Sequence, residues 1–130
     1  MLLTEAISSY KSIIADSTET SDPALEVRII VCEYLKITKE DYYFKSSQIE
    51  ISLQQDQDLR AFFKRRSSCE PISHIINKRE FFGLDFYVNS SVLDPRADSE
   101  VLVSEAIKVC NSLDRENIDV MEIAVGSGCI

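Results

Sequence analysis

The sequence predicts an α+β fold: an N-terminal helical bundle, a linking β-hairpin, then the first helix and strand of an α/β domain. Three observations carry this. Up to Phe63 the apolar residues recur at steps of three and four, the helical period. Beyond Pro71 they cluster with aromatics around the turn formers Gly83 and Asn89, as in strands joined by tight turns. The last apolar run, "NIDVMEIAV", is short and rich in branched residues, and it breaks into a loop carrying Gly126 and Gly128.

The first helix follows from Leu3, Ile7, Tyr10 and Ile14, with Leu2, Ala6 and Ile13 beside them on one apolar face. A second is opened by Asp22 as N-cap and Pro23 at the first helical position, where a missing N–H costs nothing. Leu25, Val27, Ile29, Ile30, Val31, Cys32 and Leu35 make it apolar on most sides, which predicts the central helix of the bundle. "TKEDYYF" predicts a short third helix capped by Thr38. Ser52 and Gln55 form a capping box for a fourth, expected to bury Leu53, Leu59, Phe62 and Phe63. The hairpin is expected at 79–83 against 86–92, with turns at Gly83 to Asp85 and at Asn89 to Ser91. A helix of about three turns should then run from near Asp98 to Asn111. Residues 118–125 should form a strand buried on both faces, as in parallel sheets. The organisation is a bundle over 1–68, a linker with the hairpin over 69–93, and the start of an α/β domain over 94–130.

Composition narrows the function classes. The chain has 130 residues, 45% hydrophobic and 28% charged, as in ordinary soluble domains. A net charge of -8 argues against general nucleic-acid binding. No apolar run approaches the roughly 20 residues of a membrane span, and "MLLTEAISSYK" lacks the basic leader of a signal peptide. The four cysteines form no CxxC pair and there is one histidine, which points to reduced thiols in the cytoplasm rather than a zinc site. Lys64, Arg65 and Arg66 read as the solvated last turn of a helix, where cations suit the dipole.

Two segments carry candidate chemistry. In "EIAVGSG", Glu122 ends the strand, and the glycines permit positive φ and close approach of backbone to a ligand. Ligands of open α/β sheets bind beyond such strand ends. The same GxG also suits a plain strand-to-helix turn, and the residues alone leave both readings open. In "LDPRADSE", Pro95 stiffens the turn, Arg96 can hold an anion, and Asp98 or Ser99 can cap the next helix. From these residues alone, a cap plus a surface salt bridge is the favoured account of that segment. His74 lies among apolar neighbours with no partner at motif spacing, as a packed histidine does.

"EPISHIINKREFFGLDFYVNSSVLDPRADSEVLV", followed by "EIAVGSGCI", resembles the HemK/PrmC family. These are S-adenosylmethionine-dependent methyltransferases of the glutamine side chain of peptide-chain release factors. The family pattern reads Glu-Pro-x-x-Tyr-Ile-x-Gly, then Glu-Phe-aromatic-Gly-x-x-Phe-x-Val, then Pro-Arg-Pro-x-Thr-Glu, then Asp/Glu-x-Gly-Thr-Gly-Ser-Gly. Glu70, Pro71, Ile75, Glu80, Phe81, Gly83, Phe86, Val88, Pro95, Arg96, Glu100, Glu122, Gly126, Ser127 and Gly128 agree. His74, Asn77, Ala97, Ser99, Ala124 and Val125 depart from it.

The resemblance implies a seven-stranded α/β methyltransferase domain, of which the sequence holds the first helix and strand. It implies S-adenosylmethionine at Glu122, Ala124, Val125, Gly126, Ser127 and Gly128, with Pro95, Arg96, Ser99 and Glu100 beside the active site. It makes a release factor the partner, docked by the bundle; the basic end of the fourth helix, Lys64, Arg65 and Arg66, is the contact surface we expect. The family's catalytic Asn-Pro-Pro-Tyr motif occurs nowhere in the sequence, so the expectation is a truncated, inactive enzyme, completed if at all by a second polypeptide. The alternative is a non-catalytic helical interaction module or the product of a decayed gene.

Overall fold

A computed structural model describes residues 1–15, 22–113, 115 and 117–130, and divides the chain into two compact units, Met1–Ile76 and Asn77–Ile130.

The first unit contains α1 (Leu3–Ala15), α2 (Pro23–Leu35), α3 (Lys39–Phe44), α4 (Leu53–Ser67) and α5 (Ile72–Ile76). Its helix starts obey the sequence. Asp22 Oδ1 accepts the N–H groups of Ala24 and Leu25 at 3.0 and 3.1 Å, with Pro23 at the first helical position. Thr38 Oγ1 accepts from Asp41 at 3.0 Å. Ser52 and Gln55 exchange both bonds of a capping box, at 2.8 and 3.1 Å. Each cap satisfies donors that the first helical turn leaves without partners. The entry to α1 is fixed differently, by short backbone pairing: Leu3 donates to Ile49 at 2.9 Å and Ile51 to Met1 at 3.0 Å.

The core is continuous. Leu3, Ala6, Tyr10 and Ile14 of α1 pack with Val27, Ile30 and Val31 of α2 and with Leu59 and Phe63 of α4. The rings of Tyr10 and Phe63 stack with centroids 4.8 Å apart. Helix α2 packs against α1, α3, α4 and α5, the central position its all-round apolarity predicts. Two expected core residues are outside. Leu53 is 75% exposed, because it opens α4 one turn before the buried face begins at Asp56, and Leu25 stands exposed in the first turn of α2. Helix α5 was not legible in the sequence; Pro71 O starts it by accepting from His74 and Ile75, and it packs on α2 and α4.

The second unit holds the hairpin β1 (Arg79–Phe81) and β2 (Leu84–Phe86), and α6 (Ser99–Ser112). The register pairs Arg79 with Phe86, Glu80 with Asp85 and Phe81 with Leu84. Phe82 and Gly83 therefore form a two-residue turn, and their φ angles of 52° and 74° match the left-handed pair of a type I′ turn. The hairpin is shorter than 79–83 against 86–92, since the turn falls before Leu84 rather than over it. Asn89 does make the second turn, accepting from Ser91 through its side chain at 2.9 Å. Helix α6 begins where expected, but Asp98 makes no side-chain capping bond, and no residue of α6 is buried.

The strand expected over 118–125 is absent; residues 117–130 contain turns and bends only. Val120, Met121 and Ile123 stand 79%, 86% and 85% exposed. A parallel strand needs paired neighbours and covered faces. Among the described residues neither is supplied to this segment.

Candidate functional site

The segment after Met121 folds as a loop of alternating hand. Ala124, Gly126 and Gly128 have φ of 65°, 57° and 74°, while Val125 and Ser127 between them do not enter the left-handed region. Such alternation turns successive N–H groups toward one side and makes a concavity suited to anions. The turn is closed by Gly128 donating to Val125 O at 2.9 Å. Built Cβ atoms on Gly126 and Gly128 would meet nothing closer than 3.8 Å, so it is conformation that favours glycine there.

Facing this loop is the segment before α6. Together they line a half-open pocket of about 160 Å³, Leu93 to Arg96 and Ser99 from the one segment and Glu122 with Ala124 to Ser127 from the other. Cys129 and Ile130 complete the lining. The structure thus gathers Pro95, Arg96, Ser99, Glu122, Ala124, Val125, Gly126 and Ser127, which the sequence places in two separate stretches. Pro95 is buried and Arg96 exposed. Two expected site residues lie elsewhere. Gly128 is used in the turn, and Glu100 accepts the Phe82 N–H at 3.0 Å.

The walls offer one guanidinium (Arg96), two carboxylates (Asp94 and Glu122) and two hydroxyls (Ser99 and Ser127). That donor set suits a small zwitterion, with a carboxylate toward Arg96 and the loop N–H groups and an ammonium toward the acids. The volume is below the roughly 300 Å³ at which pockets for whole drug-sized ligands begin, and matches an amino-acid-sized group. Beside it runs a groove of about 590 Å³, lined by Leu102, Ala106 and Ile107 of α6 and by Val120, Met121 and Ile123. The two share Glu122 and Ile130.

The cations of α4 do not form the solvated trio expected. Arg66 is buried, its Nε and Nη2 donating to both oxygens of Glu26 at 2.8 and 3.0 Å. Arg65 donates to Glu70 at 2.7 Å, and its guanidinium lies over the Phe62 ring. The Arg65 hydrogen bond holds the Glu70 carboxyl below the usual range, against its partial burial. Lys64 and Arg65 stay exposed in the last turn as expected, since the buried face of α4 passes through Phe63 and Arg66. His74 is half-buried in α5.

A sequence model described as the PrmC N-terminal domain matches residues 5–76, nearly the whole first unit. Beyond it, the chain is 32% identical over 120 residues to the release factor glutamine methyltransferase of Buchnera aphidicola subsp. Schizaphis graminum, covering 92% of this chain and 42% of that protein. The protein of the same description from Coxiella burnetii is 31% identical over 114 residues, 88% of this chain and 40% of its own length. That of Geobacter sulfurreducens is 45% identical over 71 residues, 55% and 24% respectively. The chain spans about two fifths of the length of the first two relatives.

Proposed function

The chain belongs to the PrmC N-terminal domain family, and from that premise we propose that its first unit docks a peptide-chain release factor while its second forms the entrance to the methyl-donor site of a protein-glutamine methyltransferase. The observation that carries this reading is the cavity joining Pro95, Arg96 and Ser99 to Glu122 and Ala124–Ser127. In this reading the bare groove on α6 and the unpaired 118–125 segment belong to a seven-stranded domain whose other strands lie outside these 130 residues. Its setting is the cytoplasm, where release factors work.

S-adenosylmethionine supplies an electrophilic methyl group on a sulfonium. Its amino-acid end fits the size and donor set of the cavity, with Arg96 and the loop N–H groups toward the carboxylate and Asp94 and Glu122 toward the ammonium. The chain's own residues bind and orient. None of them matches the Asn-Pro-Pro-Tyr motif that holds the glutamine amide in the resembling family. Methyl transfer draws much of its rate from positioning the nucleophile, so the 130 residues as they stand should transfer nothing.

The decisive experiment is a chimera. The 130 residues are joined in frame to the remaining portion of the Geobacter relative and assayed with radiolabelled S-adenosylmethionine and a release factor. Label on a release-factor glutamine, reduced by Arg96→Ala, is the expected result. A folded chimera that binds the cofactor but neither binds nor labels the release factor would leave the second reading, a helical interaction module. That reading is favoured by one observation: the first unit closes its own core, whereas α6 of the second buries nothing.

A further inference from the structure

The cavity wall from Pro95 to Ser99 has little regular structure of its own. Ser99 donates to Arg96 O at 2.9 Å and Glu100 to Ala97 O at 3.0 Å, which begins α6 but does not fix where the segment stands. Pro95 has no N–H, so only its carbonyl can anchor it through the backbone. The hairpin supplies that anchor. Arg79 Nε, on β1, donates to Pro95 O at 3.2 Å. At the other end, the Phe82 N–H donates to Glu100 Oε1 at 3.0 Å.

We infer that Arg79 and Glu100 are positioning residues: each ties the β-hairpin to one end of the Pro95–Glu100 segment, and the pair sets where Arg96 and Ser99 stand in the cavity. The turn type makes this possible. In a two-residue hairpin turn the first turn residue keeps an N–H that the ladder does not use. Phe82 is that residue, and a carboxylate is a strong acceptor for it. Phe82 also holds a φ of 52°, which an aromatic side chain disfavours, so an external bond at its N–H opposes relaxation of the turn. Glu100 does not line the cavity, although its neighbour Ser99 does. It acts through the backbone and does not touch a ligand. This assignment goes beyond the methyl-donor reading, since it concerns the wall whether or not a cofactor binds.

The test is amide NMR on the ¹⁵N-labelled 130-residue chain, with Tyr10 and Phe63 amides as the control for an intact first unit. Glu100→Leu should displace the Phe82 amide and speed its hydrogen exchange about threefold to tenfold. Glu100→Gln, which keeps an Oε1 acceptor, should restore both. Arg79→Met should displace the amides of Arg96 and Ser99, which are remote from it in sequence, while leaving the Phe82 bond in place. Equal effects of Leu and Gln at Glu100 would overturn the role of its carboxyl oxygen. Arg79→Met changes confined to residues 78–87 would overturn the clamp. If Glu100→Leu melts the hairpin, the Arg79→Met spectrum carries the same decision.

Discussion

Ala124 stands in the left-handed region at φ 65°, where a Cβ crowds the following carbonyl. The resembling family has glycine at that position, as it has at the position of Asn77, whose φ is 54°. Asparagine enters this region more readily than other non-glycine residues, so the change at Asn77 is conformationally mild, whereas alanine pays fully. Ala124→Gly should relieve about 1 kcal/mol of local strain. The readout is slower hydrogen exchange at the Gly128 amide, which closes the turn on Val125 O; unchanged or faster exchange would mean that the loop is not strained at Ala124. None of the left-handed residues other than glycine was legible from composition or periodicity, because backbone hand is set by the turn and leaves no hydropathy signal. The glycines Gly83, Gly126 and Gly128 were legible, and all three have positive φ.

At the scale of elements, α4 is the strut of the first unit. Its Asp56 accepts from Tyr10 Oη of α1 at 2.7 Å, its Asp58 from Tyr34 Oη of α2 at 2.6 Å, and its Arg66 grips Glu26 of α2. Glu26→Gln would remove the carboxylate that faces the buried Arg66 guanidinium, and should cost about 3 kcal/mol in urea unfolding. Replacing both with methionine should recover most of that loss, because the pair's own desolvation disappears with it. The same geometry dictates a test of docking. Reversing Arg66 would break the contact with Glu26, so the proposed release-factor surface is probed with Lys64→Glu alone. Weaker, salt-sensitive pull-down is expected, and undiminished binding would remove this end of α4 from the surface.

These carboxylates also set the acid response. Burial pushes Asp56 up, but the hydrogen bonds from Arg60 and Tyr10 outweigh it and hold its carboxyl below the usual range. Tyr34 and Gln54 hold Asp58 down, and Arg65 holds Glu70 down. Each ionises at lower pH folded than unfolded. Their contribution is therefore complete above the unfolded values, at about pH 5, and is lost as pH falls through the lowered folded ones. The opposite limb comes from the tyrosines. Burial pushes Tyr42 up to about 12, and burial with the Asp56 bond raises Tyr10 further. Their contribution is complete below about pH 10 and fades as pH rises through the folded values. Urea midpoints across pH should show both limbs; Asp56→Asn should flatten the acid one. The caps of α2, α3 and α4 were readable because capping is local chemistry. The 118–125 strand was misread because a strand is defined by its partners, and α5 was missed because five residues carry too little period to detect.

The molecule as a whole contrasts two ways of holding chain together. Over Met1–Ile76 one core is shared by α1, α2 and α4, and its buried set largely follows the predicted faces. Over Asn77–Ile130 the two-stranded sheet and α6 leave Val101, Leu102, Ile107 and Val109 uncovered. Native-state hydrogen exchange should therefore protect the amides of α1, α2 and α4 and leave those beyond about residue 110 fast. Slow exchange reaching residue 125 would mean that a partner covers this segment. The candidate site was legible as two motifs, but their convergence on one cavity was not, because no local pattern records which loops meet.

A ribosome delivers the chain from its N-terminus at about 5 to 20 residues per second, which gives the closed core of the first unit a meaning in time. Every residue of that core precedes the groove on α6. The bundle can fold while the apolar groove is still inside the exit tunnel. The sticky surface then emerges after a unit that is already folded. The interval in which a chaperone has work to do begins only after that point, and its length is set by how soon the groove acquires a cover.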